Sequence, residues 1–87
     1  MMRGFNGDLI EEKITKLNVW FDQWDSQVWW ITMYDAEGNS VSESASAHLK
    51  SDALKIGKDT QAHVHEHQGQ APLLQVFTRH GYLQREI

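Results

Sequence analysis

Three histidines fall within five residues, His63-Val64-His65-Glu66-His67, and no other string in the chain comes nearer to a metal site. On a helix, His63 and His67 lie one turn apart on one face. That spacing lets two imidazoles chelate zinc or nickel, with Glu66 beside them. On a strand, all three histidines would share a face instead. Two imidazoles are half of a tetrahedral set, so a third ligand has to come from His48, His65, His80 or an acid. Protonated histidines near a helix C-terminus also meet the negative end of the helix dipole favourably. That solvated role requires nothing further, and no cofactor is expected.

Nucleophilic chemistry has less support. Serines are abundant (Ser26, Ser40, Ser42, Ser44, Ser46 and Ser51), but none sits in a Gly-x-Ser-x-Gly turn, and cysteine is absent. His48 lies beside Ser46 on one strand face, a neighbour relation that lacks the third member of a triad. Gly4-Phe5-Asn6-Gly7 lacks the lysine and the spacing of a phosphate loop. The paired acids Glu11/Glu12 and Asp22/Asp25 read as solvated charges. One helix on a sheet rarely encloses a substrate pocket. A non-enzymatic protein is the expectation.

The stronger signal is aromatic. Trp20, Trp24, Trp29 and Trp30 crowd into eleven residues, on both sides of one apparent β-hairpin. Alternation along a strand sends neighbouring side chains to opposite faces, so the aromatic residues divide between the two faces of a sheet. A lone helix covers one face. If Trp29, Ile31 and Met33 lie under it, then Trp30, Val28 and Tyr34 face outward, or the reverse, with Trp20 and Trp24 together on one face of the adjacent strand. Each aromatic side chain buries ~150–250 Å², so two or three left uncovered make a patch large for a monomer. Trp20, Trp24, Trp30 and Tyr34 are therefore the candidate interface. The rival reading is that an N-terminal segment bearing Leu9, Ile10 and Ile14 folds over the same face.

The elements that position these residues follow from patterning. Asp8 with Glu11 is a capping-box spacing, and Leu9, Ile10, Lys13, Ile14 and Leu17 fit a short helical stripe. A short N-terminal helix up to about Lys16 is expected, although residues 14–21 also alternate like a strand. Leu17, Val19 and Phe21 then share one strand face. Residues 28–34 are apolar on both faces, as in a central strand covered on both sides. Asp35-Ala36-Glu37-Gly38-Asn39 reads as a hairpin loop, with Gly38 or Asn39 left-handed. Residues 40–49 form a third strand, with Val41, Ala45, Ala47 and Leu49 on one face and serines and His48 on the other, suited to a sheet edge. Ser51 is the expected N-cap of a helix whose narrow stripe is Ala53, Gly57, Thr60 and Val64, flanked by Leu54 and Gln61. Gly57 costs ~1 kcal/mol of helix propensity, which close packing on a sheet offsets. Gly69-Gln70-Ala71-Pro72 ends the helix. Residues 73–78 and 82–87 are a closing hairpin about His80-Gly81. The fold expected is α+β: an antiparallel sheet of about five strands in the order βββαββ, with one main helix on one face.

Length and charge bound the partners. Eighty-seven residues make a single domain, 1–87, with residues 1–8 expected to be flexible. No apolar run approaches the ~20 residues that cross a bilayer, and Met1 to Gly7 lacks the apolar core of a secretory signal. A soluble cytoplasmic protein without a membrane partner is the default. Twelve acids against eight bases give a net charge of −4, and the cations are scattered apart from Lys50, Lys55 and Lys58. Nucleic acid is disfavoured as a partner, since phosphate binding draws on clustered Lys and Arg.

Residues 28–87 resemble a family of small bacterial and phage domains of unknown function. The resemblance rests on Val28-Trp29-Trp30-Ile31 before the Glu37-Gly38-Asn39 turn, on Lys50-Ser51-Asp52-Ala53-Leu54 with Gly57 a turn later, and on the closing segment Val76-Phe77-Thr78-Arg79-His80-Gly81-Tyr82-Leu83-Gln84-Arg85-Glu86. It covers about two-thirds of the chain and implies a fold layout with no activity. The departures are the lower positive charge, the histidine-rich helix end and the segment before Trp24. The expected function is an interaction module, a homodimer pairing through its aromatic sheet face. A sharper version is an acidic phage or mobile-element protein that masks the basic surface of a host protein. The alternative is a metal-binding protein using His63, His65 and His67.

Overall fold

The computed structural model describes residues 13–41 and 45–87. Five strands and one helix follow in the order β1 (Ile14–Phe21), β2 (Trp29–Asp35), β3 (Ala45–Ala47), α1 (Lys50–Gln68), β4 (Leu73–Phe77) and β5 (Leu83–Glu86). The sheet order is β3-β2-β1-β4-β5. The α+β class and the order of elements match the sequence pattern, with one correction to the sheet. It is mixed, because β4 runs parallel to β1, with Leu17 opposite Leu74 and Val19 opposite Val76. The reason is a count of reversals. Each hairpin turns the chain once, so β3 runs parallel to β1. The helix reverses it again, and β4 must then return in the direction of β3.

The centre of the sheet is β1, paired with both β2 and β4. β2 is also interior, between β3 and β1, as its residue types suggest, but α1 covers one of its two faces. The short N-terminal helix is also corrected where it can be examined, since Ile14, Thr15 and Lys16 already belong to β1. The rest of that helix, the expected flexibility of residues 1–8 and the expected cover by Leu9 and Ile10 fall on residues outside those described. Gln68 at the end of α1 shows why β1 begins where it does. Its carboxamide oxygen accepts from the Ile14 N–H at 3.0 Å, and its nitrogen donates to the Ile14 carbonyl at 2.7 Å. One side chain thus completes the backbone pairing at the start of the strand.

The core lies between α1 and one face of the sheet. Leu17, Val19, Trp29, Ile31, Met33, Leu74 and Val76 project from the strands, and Ala53, Gly57, Thr60 and Val64 meet them from the helix. That helical stripe is the one the spacing predicts. A β-carbon on Gly57 would lie 3.0 Å from Val19 Cγ2 and 3.2 Å from Leu74 Cδ1, so the missing side chain is what lets α1 sit close. Gly69 ends the helix in the left-handed conformation, its N–H donating to the His65 carbonyl at 2.8 Å.

Two boundary expectations change. The N-cap is Leu49, which offers no side-chain hydrogen bond, and Ser51 falls inside the first turn. The chain reaches the helix directly from β3, and the Ala53 N–H already bonds the Leu49 carbonyl at 3.0 Å, which fixes the start two residues early. Leu49 is consequently 60% exposed instead of joining the core side of β3. That strand spans three residues, with a single bridge between Tyr34 and Ser40 beyond it; residues 42–44 lie outside the described residues. Its position at the sheet edge is as expected.

Candidate functional site: the open face of the sheet

Alternation from the buried set places Lys16, Asn18 and Trp20 of β1 on the face away from α1. The register sets Trp30, Thr32 and Tyr34 of β2 beside them, and Gln75 of β4 opposite Asn18. Phe77, two residues on from Gln75, joins the same face. Trp20 and Trp30 are directly opposed across the β1–β2 ladder, as neighbouring cross-strand positions on one face. Both remain half-buried, as do Tyr34 and Phe77. Trp29, in contrast, is 5% exposed beneath the helix, packed on Phe21 with ring centroids 5.2 Å apart.

Each outward indole is anchored at its nitrogen. Trp20 Nε1 donates to Thr32 Oγ1 at 3.0 Å, across the ladder. Trp30 Nε1 donates to Ser26 Oγ at 2.8 Å, and that hydroxyl donates to Asp22 Oδ2 at 3.0 Å. The Asp22 carboxylate also accepts the backbone N–H groups of Trp24, Asp25 and Ser26 at 3.1–3.2 Å. The Ser26 N–H leads in holding its carboxyl below the ordinary value, and the Ser26 hydroxyl and the other two amides add to it. The loop closes further through Asp22 N–H to the Val28 carbonyl at 3.0 Å and Gln27 N–H to the Asp22 carbonyl at 2.8 Å, with Gln27 at φ 55°.

This loop moves one candidate residue. Alternation alone would set Trp24 beside Trp20 on the open face, but β1 stops at Phe21. Trp24 instead rides the loop beyond the end of the sheet, 87% exposed. Trp20, Trp30 and Tyr34 are brought together as expected, and Trp24 is not. Alternation along β1 already sets Asn18 on the face of Trp20, but the pattern missed Phe77, which joins that face only because β4 docks beside β1. No local signal foretells that pairing.

Between these side chains runs a groove of about 350 Å³, lined by Asn18, Trp20, Phe21, Tyr34, Phe77 and Gly81. The Asn18 Oδ1 is buried with no hydrogen-bond partner among the described residues. An unpaired buried acceptor forfeits its hydration without return, so natural structures seldom leave one. Cations stand over the rings of two lining residues: Lys16 Nζ is 5.0 Å from the Tyr34 ring centroid, and the Arg79 guanidinium 4.1 Å from that of Phe21. Both contacts lie within cation–π range.

The histidines are helical. His63 and His67 stand one turn apart with ring centroids 4.4 Å from each other, edge to face, and His65 is exposed. No three His, Asp or Glu side chains converge as a ligand set among the described residues. None of the helices described is long and apolar enough to cross a membrane. Comparison with family models, with curated proteins and with solved structures returns no match to this chain.

Proposed function

We propose that the protein is a non-enzymatic interaction module, homodimeric through the open face of its sheet. The observation that supports this most directly is the asymmetry of the two faces. One is roofed by α1, while the other carries the Trp20–Trp30 pair with Tyr34 and Phe77 and meets no element among the described residues. Five strands about 4.8 Å apart, the longest of eight residues, make a face about 20 Å by about 25 Å. Its projected area is at most about 500 Å², so side-chain relief and the loop beyond the sheet are needed as well to reach the ~800 Å² per partner of a standard interface. Trp and Tyr are also the side chains that dominate binding energy at such surfaces, with a rigid aromatic body and little rotamer entropy to lose. The indoles here are anchored in advance by Thr32 and Ser26, which lowers the ordering cost further.

Light scattering on the purified chain tests the reading. A dimer that becomes a monomer on Trp30→Ser supports it, because that substitution removes aromatic area from the open face and leaves the core under α1 intact. A monomer for both proteins would remove it.

A further inference from the structure

We propose, resting on the homodimeric reading above, that Trp24 of each chain seats in the open-face groove of a second copy. Two reciprocal tryptophan insertions then hold the pair. Trp24 is the most exposed large apolar side chain described, at 87%, and its indole nitrogen makes no hydrogen bond among the described residues. It sits on a loop that the Asp22 carboxylate ties down through three backbone amides and a hydroxyl. An exposed indole on a preorganised loop has little left to lose on binding.

The groove has about 350 Å³ of space, walls that include Trp20, Tyr34 and Phe77, and among its lining residues Asn18, whose buried Oδ1 has no partner among the described residues. A rotation of the terminal amide, whose torsion is soft, turns that oxygen to the incoming N–H. Only the groove carries an unmet requirement, a buried acceptor without a partner among the described residues, and the exposed indole N–H of a second copy can meet it in exchange for water.

Charge points the same way. The loop presents the exposed Asp25 beside Trp24, while Arg79 and Lys16 stand over the rings of Phe21 and Tyr34, two residues that line the groove. Opposite charges thus meet when loop enters groove. Placement also permits the exchange. The loop leaves β1 after Phe21, and the groove reaches Phe21 and Gly81 at the sheet end where the parallel strands β1 and β4 both finish. A two-fold axis near that end sets each loop over the other groove, and one contact repeated twice closes the assembly.

Sedimentation velocity over a concentration series, on the full chain, tests the insertion. Trp24→Ala should weaken the dimer about tenfold or more. Because Trp24 is exposed, its loss leaves the fold intact, which circular dichroism confirms. Asp25→Lys and Arg79→Glu should each weaken the dimer, and the two together should restore it. A dimer that Trp24→Ala weakens less than about tenfold overturns the insertion. Trp30→Ser then shows whether the sheet-face pairing stands without it. Failure of the double charge reversal to recover what the single changes lose also overturns the proposed seating. A chain monomeric at every concentration overturns both proposals together.

Discussion

Trp30 on the second strand donates its indole N–H to the hydroxyl of Ser26, 2.8 Å away in the loop just before it. The same hydroxyl donates to Asp22, at the end of the first strand. Sheet and loop are therefore one hydrogen-bonded unit, and the orientation of the outward indole depends on the loop. Ser26→Ala should cost about 0.5–1.5 kcal/mol in urea denaturation. It should also speed amide exchange at Trp24 and Asp25, whose N–H groups bond Asp22 in the same loop. Unchanged exchange there would mean that the loop holds its shape without the hydroxyl.

The same carboxylate sets a pH dependence. Its carboxyl is held below the ordinary value of 3.8 by the Ser26 amide and its companions. A depressed folded-state pKa contributes stability that is complete above the unfolded value and is lost as pH falls through the folded one. The loop should therefore be indifferent to pH from neutrality down to about pH 5. Its amide signals at Trp24, Asp25 and Ser26 should shift together only below the ordinary aspartate range. An NMR titration reads this directly, and Asp22→Asn should abolish the acid transition.

Gly57 faces Val19 in the helix–sheet contact, where a methyl group fits only if its neighbours yield: the nearest atoms would stand at 3.0 and 3.2 Å. An exposed helical glycine replaced by alanine gains up to ~1 kcal/mol of propensity. At Gly57 that gain should vanish, because Val19 and Leu74 are fully buried and have little freedom to yield. Gly57→Val should destabilise by about 1–3 kcal/mol through overpacking. Thermal melts of both variants check the pair, and a stabilised valine variant would refute the close approach.

The cap of α1 separates two readings of its start. Since Leu49 holds the N-cap position with no side-chain bond, Leu49→Ser should stabilise the protein by about 0.5–2 kcal/mol. Ser51→Ala should change stability by less than about 0.5 kcal/mol. The opposite ranking would return the helix start to Ser51.

Gln68 is predicted to matter more than a surface glutamine ordinarily does. Its carboxamide bonds both backbone groups of Ile14, so Gln68→Ala leaves an N–H and a carbonyl unpaired at the head of the central strand. A loss of about 1–3 kcal/mol is expected, with faster exchange of the Ile14 amide.

Much of this protein is written in local pattern. The alternation of Leu17, Val19 and Phe21, the stripe of Ala53, Gly57, Thr60 and Val64, and the breaks at Gly38, Gly69 and Gly81 all follow from periods of 2 and 3.6 and from the conformations open to glycine. Each concerns residues near one another in the chain, where geometry leaves few choices. The division of the tryptophans between faces was legible for the same reason at Trp20, Trp29 and Trp30. What residue order could not convey is which distant segments become neighbours. The parallel docking of β4 on β1, the groove that Phe77 and Asn18 consequently share, and the bond from Gln68 to Ile14 join residues more than fifty positions apart. Such contacts depend on where the helix sets the chain down, and that is decided by packing Val19 and Leu74 against Gly57. Trp24 marks the boundary between the two kinds of information. Its alternation with Trp20 was correct as arithmetic, and the Asp22 carboxylate, by gathering the amides that follow it, ended the strand before the arithmetic reached it.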